Sequence, residues 1–349
     1  MNIDPTGFSA AAGMRFDQEQ DMVKVSVIVP VYNVAQFIGR CAESVFSQTL
    51  DEMEVIFVDD ASPDNSIAIL ESVLERYPGR KSQVRIVRHT HNRGLPAARN
   101  TGLGYASGEY VFHWDSDDYA DPDMLESLYR TASEEGADIV WCDWYLTFAH
   151  NERYMKQPSY GSPVEALKGM MSGSMKYNVW NKLARRRIYV ENCIAFPSGY
   201  GMGEDMTMMM LFACASKAVY LPEAFYHYVR TNVAAFTGGR ATPEKFDALK
   251  YNVQRIADFM HARYGNAMDM EIAFLKLDAK FPFLIFRPDR CFYRMWTEWY
   301  PEADSYIMRN KNVSLRSRIL QFCASKGQFW LVRLHYHVVC RFVYGIIYR

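Results

Sequence analysis

No stretch of the sequence reaches about 18 uninterrupted apolar residues, so a conventional membrane-spanning helix is not expected. Cysteine is sparse and scattered: the seven residues Cys41, Cys142, Cys193, Cys214, Cys291, Cys323 and Cys340 are odd in number and never form a C-x-x-C pair. That spacing gives neither a disulfide frame nor a zinc site, and predicts reduced packing cysteines in a cytoplasmic protein. Net charge is nearly absent, with a formal value of −1, which removes any global pull toward nucleic acid. The opening stretch MNIDPTGFSAAAGMRFDQEQDM has no basic flank followed by an apolar run, so it reads as a loose arm over residues 1–23 and not as a signal peptide. Repeats and low-complexity tracts are missing too. What remains is ordinary globular composition, 49% hydrophobic and 23% charged over 349 residues, enough for one large or two fused domains.

From Val25 the sequence alternates between strand and helix signals. VSVIVPVY is a β-branched run of buried-strand type, and Ile38, Cys41, Ala42 and Val45 then recur at helical spacing. EVIFVDD predicts a second strand, followed by a helix with Leu70, Val73, Leu74 and Tyr77 on one stripe. VRIVRH is a third strand, LPAARNTGLGYA a short helix with proline in its first turn, and EYVFHW a fourth strand. This order predicts an α/β fold with a Rossmann-like, mostly parallel central sheet flanked by helices. In such sheets ligands sit at the carboxyl ends of strands, where Pro30–Asn33, Asp59–Asp60 and Asp115–Asp118 all fall. Past Val140 the pattern is mixed, and residues 241–349 read as a helical C-terminal extension rich in aromatics. The expected divisions are a donor half at 24–145, an acceptor and catalytic-base half at 146–240, and that extension.

Asp115, Asp117 and Asp118 place three carboxylates within four positions, the oxygen-rich turn that a hard divalent cation such as magnesium or manganese shares with substrate phosphates. An Asp-rich surface turn is the competing reading of those residues alone. Asp59 and Asp60 could cap a helix, but Asp64 or Ser66 suffices for that. The two carboxylates are then left for the N–H and hydroxyl groups of a nucleobase or ribose, with the Tyr32 ring available to the base. Glu204 and Asp205 read either as first-turn helix acids or as a positioned base. GLGYASG has misspaced glycines for a dinucleotide loop and lies between helix and strand, the wrong order. His227 among aromatics reads as a packing residue or a third metal ligand, and Trp180-Asn181-Lys182 as core or as acceptor lining.

Taken together, VSVIVPVYN, EVIFVDDASPDNS, NRGLPAARNTGLGYASGEYVFHWDSDD and GEDMTMMM resemble the inverting family 2 glycosyltransferases of the nucleotide-diphosphosugar transferase fold, over residues 24–240. The resemblance implies a single-sugar transfer from a nucleotide-diphosphate sugar, a UDP-sugar by family habit, to the hydroxyl of a glycan acceptor, or of a lipid-linked sugar if the chain meets a membrane, in surface polysaccharide or glycan synthesis. It also implies a divalent cation, magnesium or manganese. Carried over by position, it puts Pro30, Tyr32, Asn33, Asp60, Arg99 and Asp117 on the donor, Asp118 with Asp117 on the metal, Asp115 in support, and makes Asp205 the catalytic base. The Q-x-x-R-W motif of processive synthases is absent. A sugar-phosphate nucleotidyltransferase is the rival enzyme, but VYNVAQF lacks the glycine- and arginine-rich loop it requires. A non-catalytic nucleotide-sugar binding module is the other alternative.

From Tyr306 to Arg349 there are eight Lys or Arg residues and no Asp or Glu. One helix through Lys326, Arg333, His337 and Arg341 would carry a basic stripe beside Phe329, Trp330, Leu334, Phe342 and Ile346. That arrangement predicts peripheral contact with an anionic membrane, on the inner face of the plasma membrane. The competing reading is a helix docked on the catalytic domain.

Overall fold

A computed structural model of the chain describes residues 23–232, 242–286, 288–339 and 341. The first strand, β1 (Val25–Val31), is buried along its whole length, as a β-branched run covered on both faces must be. It pairs in parallel with β2 (Met53–Asp59) on one side and with β4 (Tyr110–His113) on the other, and β2 pairs in parallel with β3 (Val84–Arg88). Between them lie α1 (Ile38–Phe46), α2 (Ser66–Leu74) and α3 (Leu95–Tyr105). The predicted stripe of α1 is wholly buried: Ile38, Cys41, Ala42 and Val45 are all solvent-free.

The sheet continues through β5 (Tyr119–Ala120), α4 (Met124–Glu135), β6 (Ile139–Thr147), β7 (Glu152–Met155), α5 (Pro163–Met171), β8 (Lys182–Arg185), α6 (Arg186–Glu191), α7 (Thr207–Cys214) and β9 (Ala218–Val229). Spatial order is β3-β2-β1-β4-β8-β6-β9-β5, with β7 on β6. The predicted parallel arrangement holds from β3 to β4. Beyond β4 the sheet is mixed: β8 runs antiparallel to β4 and β6, and β6 pairs in parallel with β9.

Two glycines set how closely the layers approach. A Cβ on Gly102 would lie 2.3 Å from Ile28 Cγ2, so α3 can lie directly on β1 only because that position has no side chain. A Cβ on Gly108 would lie 2.7 Å from the Ser26 amide. Gly102 and Gly108 of GLGYASG therefore serve packing, whereas a Cβ on Gly104 would meet nothing within 4 Å.

The extension is helical as expected: α8 (Pro243–Tyr264), α9 (Asp269–Lys280), α10 (Pro282–Ile285), α11 (Arg290–Glu298), α12 (Leu315–Ser325) and α13 (Phe329–His335). Its core around Trp296, Phe283 and Ile307 joins the main hydrophobic core. The single basic helix expected from Lys326 onward is not formed. Gly327 takes φ +71° and ends α12, and the Lys326 amide donates to the Phe322 and Cys323 carbonyls of that helix. Lys326 thus sits outside the helix that carries Arg333, while Phe342 and Ile346 lie outside the described residues. Among the described residues no helix is long and apolar enough to cross a membrane.

Candidate active site

Because β2, β1 and β4 are adjacent and parallel, their carboxyl ends share one edge, and the three predicted motifs meet there. Pro30 is buried within β1; Tyr32, just past the strand, is 47% exposed. Asn33 takes φ 55°, a region short polar side chains tolerate, and its amide donates to Ser62 Oγ at 3.2 Å. The turn before α2 is held by Asp64, whose Oδ1 accepts from the Ser66 amide at 3.1 Å and Oδ2 from the Ala35 amide at 2.9 Å, while the N-cap residue Asn65 makes no side-chain cap bond.

Asp59 and Asp60 are not spare carboxylates. Asp59 Oδ1 accepts the Ser62 amide at 2.8 Å and closes its own turn. Asp60 is buried; it accepts the Arg93 and Gly94 amides, both at 2.8 Å, and meets His89 Nδ1 at 2.7 Å. Asp60 is therefore tied to the loop between β3 and α3, and Asp59 to its own turn through one oxygen.

Arg99 is 1% exposed and sits at the centre of an acidic cluster. Its Nη1 donates to Asp205 Oδ1 at 2.7 Å and its Nη2 to Asp115 Oδ1 at 2.9 Å; Glu204 Oε1 lies 3.9 Å from Nη1. Burial alone would lower this guanidinium's pKa, but Asp205, Asp115 and Glu204 outweigh it and hold it charged. Asp115 is pushed up to about 6 by burial against the pull of Arg99, with Asp117 and Asp205 adding repulsion. Glu204, also buried, is pushed up to about 8, with Asp205 as the next cause. Asp205 itself is a quarter exposed at its side chain.

The loop after β4 crowds two more carboxylates against Asp115. Burial raises Asp117, opposed by Asn232, whose Nδ2 donates to Asp117 Oδ2 at 2.8 Å. Burial and then the charges of Asp117 and Asp115 raise Asp118 well above the ordinary range. Asp118 Oδ1 accepts the Val229 amide at 2.7 Å; its Oδ2 is buried with no hydrogen bond of good geometry, the Tyr226 hydroxyl being the side-chain donor that steadies the carboxylate. A poorly satisfied buried carboxylate oxygen among like charges fits a divalent cation, whose charge would compensate the group. Among the described residues no set of three or more His, Cys, Asp or Glu is arranged to hold an ion alone.

The Asp205 loop is held from behind. Gly203 takes φ +85°, where a side chain would be strained and would come within 3.3 Å of Leu249 on α8. Asn252 Nδ2, also on α8, donates to the Tyr200 and Met202 carbonyls, each at 3.0 Å, and Tyr251 stacks on Tyr200 at 3.7 Å. These contacts were not legible locally, because α8 begins 38 residues after Asp205.

Two ambiguous segments are engaged within the fold. Trp180 stacks on Tyr226 and Tyr228, Asn181 Nδ2 donates to the Cys142 carbonyl, and Lys182 Nζ donates to the Lys176 and Asn178 carbonyls. Burial pushes Lys182 down to about 7. His227 has both ring nitrogens against carboxylates, Glu152 at 2.7 Å and Asp121 at 3.3 Å, and stacks between Tyr119 and Tyr145.

The family model for glycosyl transferase family 2 matches residues 26–202. This chain belongs to glycosyltransferase family 2. EpsJ of Bacillus subtilis, described as an uncharacterized glycosyltransferase, is 32% identical over 252 residues, covering 70% of this chain and 71% of that one. The poly(ribitol-phosphate) beta-N-acetylglucosaminyltransferase TarP of Staphylococcus aureus is 28% identical over 60% of this chain and 64% of its own. Among solved structures, S. aureus TarS 1–349 in complex with UDP-GlcNAc superposes with a TM-score of 0.67 at 20% identity, covering 90% of this chain and 91% of that one. That likeness establishes the fold. The matched family segment stops just before Glu204 and Asp205, so the second half of this glycosyltransferase's acidic cluster lies beyond it.

Proposed function

We propose that the chain transfers one sugar, with inversion, from a uridine diphosphate sugar to an acceptor hydroxyl, using Asp205 as general base. The observation that carries this reading is the double engagement of Arg99, which ties the Asp115–Asp118 loop to Asp205 across two hydrogen bonds. Tyr32, exposed at the strand edge, offers its ring to the base; Pro30 in β1 and Asn33 in the turn flank it in sequence, and Asp60 braces the neighbouring loop. Asp117 and Asp118 would hold a magnesium or manganese ion, which when bound supplies a counter-charge to the leaving diphosphate. Asp205 accepts the acceptor's proton at its carboxylate, held in orientation by Arg99. Glu204 is the poorer base, because burial keeps its carboxyl protonated near neutral pH. TarS, of the same fold, is known bound to UDP-GlcNAc, which supports the uridine donor. The polymer-modifying relative supports an acceptor in surface polysaccharide synthesis. The basic, acid-free stretch from Tyr306 supports peripheral contact with the inner face of the plasma membrane.

Thermal stabilisation by UDP and UDP-sugars, with and without manganese, tests the donor side. At 100 times its dissociation constant a ligand adds about 2.7 kcal/mol. Protection independent of the metal would reject the cation, and no protection by any uridine nucleotide would reject the donor class.

A further inference from the structure

Far from the acidic cluster in sequence, α11 and α13 enclose a groove of about 600 Å³ lined by Arg290, Tyr293, Arg294, Phe329, Trp330 and Arg333, among others. Its apolar wall is ordered: the Tyr293 and Phe329 rings stack at 4.8 Å with 13° between their planes. Tyr293 is buried, yet its hydroxyl has no hydrogen-bond partner, although a buried hydroxyl normally finds one. Three guanidinium groups and one carboxylate, that of Glu298, line the same space. Among the described residues Arg290 and Arg333 meet no carboxylate within ion-pair distance, and Arg294 reaches only Glu298, at 3.8 Å and largely exposed.

The surface beside the groove is apolar. On α12, Leu315, Ile319 and Phe322 are exposed at spacings of four and three; Trp330, Leu334 and Val338 follow at spacings of four from the start of α13. Trp330, 66% exposed, belongs to both the groove and this face. No acidic residue interrupts the sequence from Tyr306 onward, so every charge added by these helices is positive. Monomeric soluble domains seldom leave so many large apolar side chains bare at helical spacing.

We propose that the groove seats the phosphate of an anionic phospholipid. Its oxygens lie against Arg290 and Arg333 with Tyr293 donating, while Phe329 and Trp330 cover the glycerol and upper acyl carbons. The faces of α12 and α13 then rest in the headgroup boundary of the bilayer. Arginine suits this role because its planar fork of donors matches phosphate oxygens. The site adds a headgroup pocket to the proposed membrane contact and does not depend on which sugar is transferred.

Co-sedimentation of the full chain with vesicles of phosphatidylcholine, with and without phosphatidylglycerol, tests the site. Binding is expected only to the anionic vesicles. Arg290→Gln with Arg333→Gln should weaken it by more than about a hundredfold, beyond the roughly thirtyfold that two surface charges account for at about fivefold each. Arg309→Gln with Lys311→Gln, an equal loss of charge outside the groove, should cost no more than about thirtyfold. Tyr293→Phe, which keeps the ring stack, should also weaken binding. Equal losses in both double variants would reduce the groove to nonspecific charge, and unchanged binding in Tyr293→Phe would remove its hydroxyl from the site. Displacement from vesicles by millimolar inorganic phosphate would make the ligand a soluble phosphate and overturn the lipid assignment. Protection by UDP with manganese, measured on the same variants, should stay unchanged, which separates failure here from failure of the donor reading.

Discussion

Arg99 and Asp205 stand 106 positions apart in sequence and meet at 2.7 Å, with the second arm of the same guanidinium on Asp115 at 2.9 Å. One fully buried side chain thus sets the spacing between the Asp115–Asp118 loop and the proposed base. Arg99→Lys keeps the charge but cannot hold both carboxylates in one plane. Turnover should fall about a hundredfold, as expected when a reacting group is misplaced by about 1 Å, and the melting temperature should drop. Steady-state kinetics beside a thermal melt checks both; near-normal turnover would show that the bridge does not position Asp205.

Asp205→Asn should leave affinity for UDP with manganese close to that of the parent chain and cut turnover by about a hundredfold or more, since only proton transfer is removed. Turnover within a few fold of the parent chain would move the base elsewhere, with Glu204 next to be tested.

Asp118→Asn has an expected sign on stability as well as on binding. The amide can still accept from the Val229 amide, while the buried charge beside Asp117 and Asp115 is gone. Melting without metal should therefore be unchanged or higher, and metal-dependent protection by UDP should disappear. Retained protection would remove Asp118 from the metal site.

Glu204 makes a pH prediction. Its folded pKa, about 8, is raised above the ordinary value of 4.5, so between those values the folded state holds a proton that the unfolded state has released. Its contribution to stability is complete below about pH 4.5 and is lost as pH rises toward 8. Glu204→Gln should remove that decline, so that the melting-temperature difference between variant and parent grows in the variant's favour from pH 5 to pH 8. A difference that does not change with pH would mean that Glu204 is ionised in the folded state.

Much of this was readable from local pattern. Residues 24–145 could be placed because β1 and β2 are largely apolar, β3 mixes apolar and basic residues, and α1 keeps a clean stripe, so β1 to β4 and α1 to α3 follow from local pattern. The convergence of Tyr32, Asp60 and Asp115 follows from parallel pairing alone. The fate of Asp60 could not be read, because the amides that occupy it belong to Arg93 and Gly94, 33 and 34 residues away. For the C-terminal region the seven-residue spacing of Lys326 and Arg333 suggested one continuous helix. The signal against it was Gly327 directly after Lys326, where a left-handed residue ends α12. The mixed order of β8, β6 and β9 was equally hidden, since antiparallel neighbours of a buried strand leave no distinctive period.

The way α8 grips the Tyr200–Gly203 loop bears on how such enzymes diverge. Asn252 and Leu249 lie in the extension, outside the matched family segment, yet they brace the loop that delivers Asp205. Grafting the extension of one relative onto the body of another would therefore exchange the backing of the loop before Asp205 along with any surface carried by the helices. That loop and its α8 support are inherited as a unit here, and recombination between relatives should succeed more often when the crossover falls before Phe196 than when it falls between Asp205 and Asn252.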